Sequence, residues 1–350
     1  MEQVFDGHND VLLRLLHSSE RGVDPVAEFV NGTDEGHIDL ARARRGGLAG
    51  GLCAIYVPSS DFGFRTPDEN GHYATPLAEP LERLPALDVA LKVAAIALRL
   101  HRAGAWRLCR STTEVRETMA AGAFAAVLHM EGCEAIDPDL DALETFHAAG
   151  LRSLGPVWSR NNAFGHGVPF AYPSTPDSGP GLTEAGFALI RACNRLGILV
   201  DLAHITERGF WDVARTTDQP LVASHSNAHA LTPVARNLTD RQLDAIRESK
   251  GLVGLNYATP MLRPDGQESA ATPLSDMVRH IDHLVARMGI DCVALGSDFD
   301  GAAIPSAIRD AAGNQALVGA LRKAGYGDGD LAKICRENWL RVLASAWHEG

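Results

Sequence analysis

The sequence predicts an α/β chain closed into a (β/α)8 TIM barrel with long βα loops, and three observations carry that expectation. Short apolar runs rich in Val, Ile and Leu alternate with longer stretches whose apolar residues recur at helical spacing. The runs are continuously apolar, as the strands of a helix-covered parallel sheet are. Five of the eight runs end in a residue able to bind a metal ion, and strand C-termini are where barrel enzymes place their active sites.

Taken in order, VFDGH at residues 4–8 opens the series and precedes a helical pattern at 38–45. GLCAIYV at 51–57 leads to the patterns at 81–103 and 113–121, and AAVLHME at 125–131 to that at 139–148. SLGPVW at 153–158 precedes 183–196, ILVDLAH at 198–204 precedes 207–216, and LVASH at 221–225 precedes 241–249. LVGLNY at 252–257 and CVALGSD at 292–298 close the series around a helix at 274–288. In that helix Ile281, Leu284, Val285 and Met288 form one stripe while Arg279, Asp282 and Arg287 face elsewhere. A barrel of this kind takes about 250 residues, so the surplus of a 350-residue chain belongs in loops. The Gly-, Pro-, Ser- and Asn-rich segments 58–80 and 161–181 both follow strands and should overhang the catalytic end. A doubly wound open sheet is the alternative, with its ligand at a switch point. One domain, 1–350, is expected.

Composition narrows the function. Hydrophobic residues make up 45% of the chain, enough for a large core, and the formal net charge is −12. That acidity argues against nucleic acid as a partner. The six cysteines (Cys53, Cys109, Cys133, Cys193, Cys292 and Cys335) show no CxxC spacing and read as reduced core thiols. No apolar run reaches the roughly 18 residues a membrane span needs, and MEQVFDGHND lacks the basic start of a secretory signal. A cytoplasmic protein with no membrane partner is expected.

The chemistry lies at the strand ends. His8 and Asp10 are two residues apart, so on an extended chain both point to one face, a chelate geometry suited to zinc or a similar divalent ion. Glu131 closes an apolar strand, where a carboxylate is costly unless a cation or hydrogen bonds meet it; it is either an exposed strand end or a carboxylate shared by two metals. His129 shares its face and is a competing ligand, but it lies one layer deeper and reads as a hydrogen-bonded core histidine. His204 and His225 end two further apolar strands. Asp201, three residues before His204, is a candidate partner behind a ligand, while His229 reads as structural. Asp298 in ALGSDFDG would sit at the barrel mouth, where a carboxylate can take and return a proton, with Asp300 as the alternative. Arg236 is either a solvated surface cation or a fork for a substrate carboxylate.

FDGHND, HMEG, VDLAH, SHSNAHAL, ARN and GSDFDG occur in this order and at these intervals. Together they resemble the membrane (renal) dipeptidase family, peptidase family M19 of the amidohydrolase superfamily, from Val4 to the ENWLRVL segment near the C-terminus. The resemblance implies a metal-dependent hydrolase barrel holding two zinc ions (Zn2+), one by His8, Asp10 and Glu131 and the other by Glu131, His204 and His225. It implies that Arg236 binds the free carboxylate of a small dipeptide substrate and that Asp298 is the catalytic acid/base. Family members are often homodimers. The renal enzymes have a substrate-binding histidine after the fourth strand; LGPVWSRNN places Trp158 there, a candidate substrate contact without that histidine's oxyanion chemistry.

The resemblance implies L-Xaa-D-Xaa dipeptides as substrates, and the expected nucleophile is a hydroxide bridging the two ions, whose coordination brings the pKa of water to about 7. Another amidohydrolase activity, such as a deaminase or lactonase, and a non-catalytic metal-binding barrel are the alternatives, because loops rather than fold choose the substrate.

Overall fold

Each of the eight apolar runs overlaps a parallel strand in the computed structural model, which describes residues 1–59 and 63–348. The strands are β1 (Val4–Asn9), β2 (Leu48–Tyr56), β3 (Ala125–Glu131), β4 (Leu151–Gly155), β5 (Leu199–Val200), β6 (Val222–Ala223), β7 (Leu252–Leu255) and β8 (Val293–Leu295). The first five pair in the order β1-β2-β3-β4-β5 and the last three as β8-β7-β6. Single parallel bridges, Asp201↔Val222 and Asn9↔Phe299, join the edges of the two sets. The β2–β3 register runs unshifted from Gly50↔Ala125 to Tyr56↔Glu131, which sets Tyr56 beside Glu131.

Strand alternation sorts the core. Phe5, Leu52, Val127, Leu199, Val222, Leu252 and Ala294, from seven different strands, pack in one cluster with Trp339. Val4, Cys53, Ile55, Leu128, Met130, Val253, Leu255 and Val293 point the other way, into the layer of helices. Each large side chain so buried contributes about 1.5–3 kcal/mol. Continuing the inward set toward the strand ends reaches His129 and Glu131 on β3, so the apolar layer gives way to a polar one at that end.

The last strands are shorter than the sequence predicts: β5 and β6 have two residues each and β8 has three. Side chains have replaced the ladder there. Asp201 Oδ1 accepts the Ser224 N–H at 2.7 Å, and Asp6 Oδ1 accepts the Ser297 N–H at 2.7 Å. Backbone donors that would extend the sheet are thereby satisfied by carboxylates. His204, His225 and Asp298, like Trp158, lie in the loops after their strands, not on them. At β6 the chain turns inward, and a Cβ at Gly254 or Gly296 would overlap the Ser224 carbonyl oxygen.

Helices not expected from the sequence occur at Val11–Glu20, Pro25–Asn31, Asn314–Lys323 and Asn338–Ala346. Within the two long loops, Tyr73–Thr75 pairs antiparallel with Phe170–Tyr172. Ser60, Asp61 and Phe62 of the first loop lie outside the described residues, as do Glu349 and Gly350. The Tyr73 hydroxyl donates to the Gly266 carbonyl at 3.0 Å and Gln267 Nε2 to the Gly71 carbonyl at 2.6 Å, tying a third segment to this pair. All six cysteines are free and buried. No helix among the described residues is long and apolar enough to cross a membrane.

Candidate metal centre

Five of the residues singled out at strand ends converge. Glu131 Oε1 lies 3.6 Å from His8 Nε2, 2.9 Å from His204 Nε2 and 3.5 Å from His225 Nε2. His8 Nε2 is 3.3 Å from Asp10 Oδ2. Asp10 reaches this place from the start of the Val11–Glu20 helix, so convergence comes from a turn rather than from one extended face. Two groups of donor atoms result, His8–Asp10–Glu131 and Glu131–His204–His225, each with all its ligand atoms within 4.8 Å of one another. A third group, His8–His225–Asp298, satisfies the same spacing.

The hydrogen bonds behind His225 fix its lone pair. Ser224 Oγ gives its proton to Asp201 Oδ2 at 2.6 Å, so its 2.7 Å contact with His225 Nδ1 must be accepted from the ring. The Nε2 of His225 is then a bare lone pair, an assignment made from the network. It faces His204 Nε2 at 3.0 Å and the Glu131 carboxylate. His204 Nδ1 contacts Ser159 Oγ at 2.9 Å. The His225 lone pair and Glu131 Oε1, 3.5 Å apart, repel unless a proton or a cation lies between them. Both ring nitrogens of His8 and Oδ1 of Asp10 are buried with no hydrogen-bond partner. The donor set fits a divalent metal of the zinc class.

Electrostatics makes the same demand. Burial alone would depress His8, but the Glu131 and Asp10 carboxylates lift it to about 10. Burial, with Arg236 and His8 nearby, pushes His204 and His225 well below the ordinary imidazole range. Burial drives Glu131 well above the carboxylate range, against the pull of His8. The acids therefore need positive charge, while His204 and His225 resist supplying it as protons. A divalent cation satisfies both.

A cavity of about 460 Å³ opens over the cluster, lined by Asp10, Glu131, His204, Arg236 and Asp298 among others. Arg236 is buried; its Nη2 reaches the His225 carbonyl at 3.3 Å and His204 Nε2 at 3.1 Å, and its Nε has no partner. Burial lowers it to about 10, so it stays cationic at neutral pH. Asp298 sits at φ +60°, a left-handed turn that Asp adopts more readily than most residues. Its backbone N–H donates to the His8 carbonyl at 3.0 Å, and its Oδ2 accepts from Asn256 Nδ2 at 2.9 Å. Burial raises its pKa, with His8 opposing. Trp158 lines the cavity, its ring 5.8 Å from that of His204. Asp300 does not line it; its backbone N–H donates to His37 Nδ1 instead.

His129 is a core histidine, contacting Ser153 Oγ at 2.9 Å. His229 contacts the Ser174 carbonyl at 2.7 Å. Asp201 backs His225 through Ser224, not His204. The sequence reading also missed Asp6, whose Oδ2 accepts from Ser297 Oγ at 2.7 Å just before Asp298, and Ser159 and Asn256. A signal existed: an Asp inside an apolar strand, and a Ser directly preceding the ligand or acid, occur in both VFDGH/GSD and VDLAH/SH. Ser224→Ala should free His225 from its support and weaken divalent-metal binding by about 10–100-fold, measured by chelator competition. Unchanged affinity would show that the support is unimportant.

Donors gathered at the C-terminal ends of parallel strands, under a cavity with a buried arginine, define a metal-dependent hydrolase centre. Residues 1–348 match the family described as membrane dipeptidase, peptidase family M19. The chain is 51% identical to a solved dipeptidase described as a metallopeptidase of family M19, with TM-score 0.93 and 99% of each chain covered. It is 50% identical to a solved metallopeptidase from Rhodobacter sphaeroides liganded with a phosphinate mimic of the dipeptide L-Ala-D-Ala, with TM-score 0.94 and 99% of each chain covered. A Klebsiella pneumoniae protein from the pqqA 5′ region is 48% identical over 249 residues, 71% of this chain and 92% of that one. The chain belongs to the membrane dipeptidase family, peptidase family M19, a family of metallopeptidases.

Proposed function

We propose that the protein hydrolyses L-Xaa-D-Xaa dipeptides bearing a free C-terminal carboxylate, at a two-zinc centre in a closed single-domain (β/α)8 barrel. The observation that carries the two-ion reading is Glu131 Oε1, within 3.6 Å of three imidazole nitrogens that belong to two donor groups. Barrel closure is supported by the bridges at both sheet edges and by the shared inward cluster of seven strands. The D-residue preference is supported by the Rhodobacter sphaeroides relative and its L-Ala-D-Ala mimic. Six unpaired buried cysteines favour the cytoplasm as the compartment. A homodimer is the proposed assembly, on the family resemblance alone.

Bound divalent ions supply an acidified water and polarise the scissile carbonyl. The protein supplies the rest. Arg236, charged and lining the cavity, pairs with the dipeptide's carboxylate; a longer peptide would leave that charge unmatched. Asp298 is held by Asn256 through Oδ2, leaving Oδ1 to take the proton of the attacking water and deliver it to the leaving amine. Trp158 bounds the substrate beside His204.

A stereochemically defined dipeptide set, assayed with and without chelator alongside metal analysis, tests the proposal. L-Ala-D-Ala should be cleaved, chelation should abolish turnover and zinc should restore it. Chelator-resistant cleavage, or preference for a purine or lactone panel, would overturn it. Arg236→Ala should raise KM for free dipeptides by about 10–100-fold, the worth of a hydrogen bond to a charged group. If the parent protein cleaves amidated and free dipeptides equally well, Arg236 has no such role.

A further inference from the structure

We propose that Arg160 is a positioning residue for dipeptide binding: its guanidinium, sealed beside the cavity, fixes the Tyr56–Trp158 wall and holds the start of the chain segment that follows β2. The inference rests on the dipeptidase reading of the cavity. Arg160 is fully buried, which an arginine tolerates only when its charge and its N–H donors are met. Nε donates to Glu134 Oε1 at 3.0 Å, Nη1 to Ser59 Oγ at 2.6 Å and Nη2 to the Val57 carbonyl at 3.0 Å. One guanidinium thus ties the turn after β3 to the chain leaving β2.

The guanidinium also lies over two aromatic rings. The guanidinium carbon lies 5.5 Å from the Trp158 ring centre and 5.9 Å from that of Tyr56. Those two rings are 5.2 Å apart, both line the cavity, and Trp158 in turn packs on His204. Val57 and Ser59 begin the stretch that carries Phe64, Arg65, Tyr73 and Thr75 into the cavity lining. Arg160 itself does not line the cavity, so it acts through these neighbours, on binding rather than on bond breaking. Lysine cannot reproduce a fork to three acceptors placed over two rings, yet it keeps a charge opposite Glu134.

The test compares the zinc-loaded parent with Arg160→Lys and Ser59→Ala. Losing a hydrogen bond to a charged group corresponds to about tenfold, so Arg160→Lys should raise KM for L-Ala-D-Ala by about that factor. Ser59→Ala, which keeps the ion pair, should raise it about threefold. The kcat and metal content should stay at the parental level in both. Trypsin nicking after Arg65, the only Lys or Arg between residues 57 and 80, should quicken in the same order. A parental KM or a parental nicking rate in Arg160→Lys overturns the proposal, as does a fall in kcat and metal content with KM unmoved. Should that variant fail to fold, the same readouts on Ser59→Ala decide. Nicking needs no turnover, so a parent inert on every dipeptide would sink the dipeptidase reading while the nicking rate still judged Arg160.

Discussion

Asp298→Asn should lower kcat by about 10²–10⁴-fold, the usual worth of a positioned acid/base group, while metal content and KM remain near parental. The expectation is specific because little besides the proton function changes. Asparagine has the same shape and accepts the left-handed backbone at φ +60°. Its carbonyl oxygen can still accept from Asn256 Nδ2, which Asp298 Oδ2 does at 2.9 Å. What it cannot do is receive a proton from water and surrender it to an amine. Steady-state kinetics with metal analysis on the same sample separates the outcomes. Parental turnover would remove Asp298 from the reaction. Metal loss in proportion to activity would instead assign it to the ligand set, a role its spacing to His8 and His225 also permits.

Glu131→Gln should reduce bound metal from about two ions per chain to one or fewer and abolish activity. The carboxamide keeps one acceptor oxygen but loses the negative charge that three imidazole nitrogens share. Stability should move the opposite way in metal-free protein. Burial pushes Glu131 well above the carboxylate range, so the ionised acid is unfavourable there without a counter-charge. The metal-free variant should therefore melt at or above the metal-free parent. Zinc should raise the Tm of the parent more than that of the variant, because a ligand bound only by the native state stabilises it in proportion to its affinity. Equal zinc-induced shifts by differential scanning fluorimetry would mean that Glu131 is not a shared ligand.

How much of this was legible beforehand follows from where the backbone is regular. Parallel strands buried on both faces must be apolar throughout, so the runs that became β1 to β8 stood out. Strand ends were read less well because Asp6 and Asp201 intercept the backbone donors of Ser297 and Ser224. Such a replacement follows from a long-range contact, not from local pattern. The candidate ligands still converge, since ending strands two to four residues early moves a side chain but not its chemistry. Which imidazole Asp201 backs was not legible for the same reason: it acts through Ser224 on His225, after the next strand. Arg160 escaped notice altogether. Arginine is ordinarily exposed, and its counter-ion Glu134 is separated from it by 26 positions in the chain. The pairing of the two long loops through Tyr73–Thr75 and Phe170–Tyr172 is equally a product of tertiary folding.

The most direct measurement is anomalous diffraction at the zinc edge from crystals of the zinc-reconstituted protein. Two peaks about 3.5–4 Å apart should flank the Glu131 carboxylate, one against His8 and Asp10 and the other against His204 and His225. A single peak, or zinc bound with Glu131 outside its coordination, would contradict the shared two-ion centre.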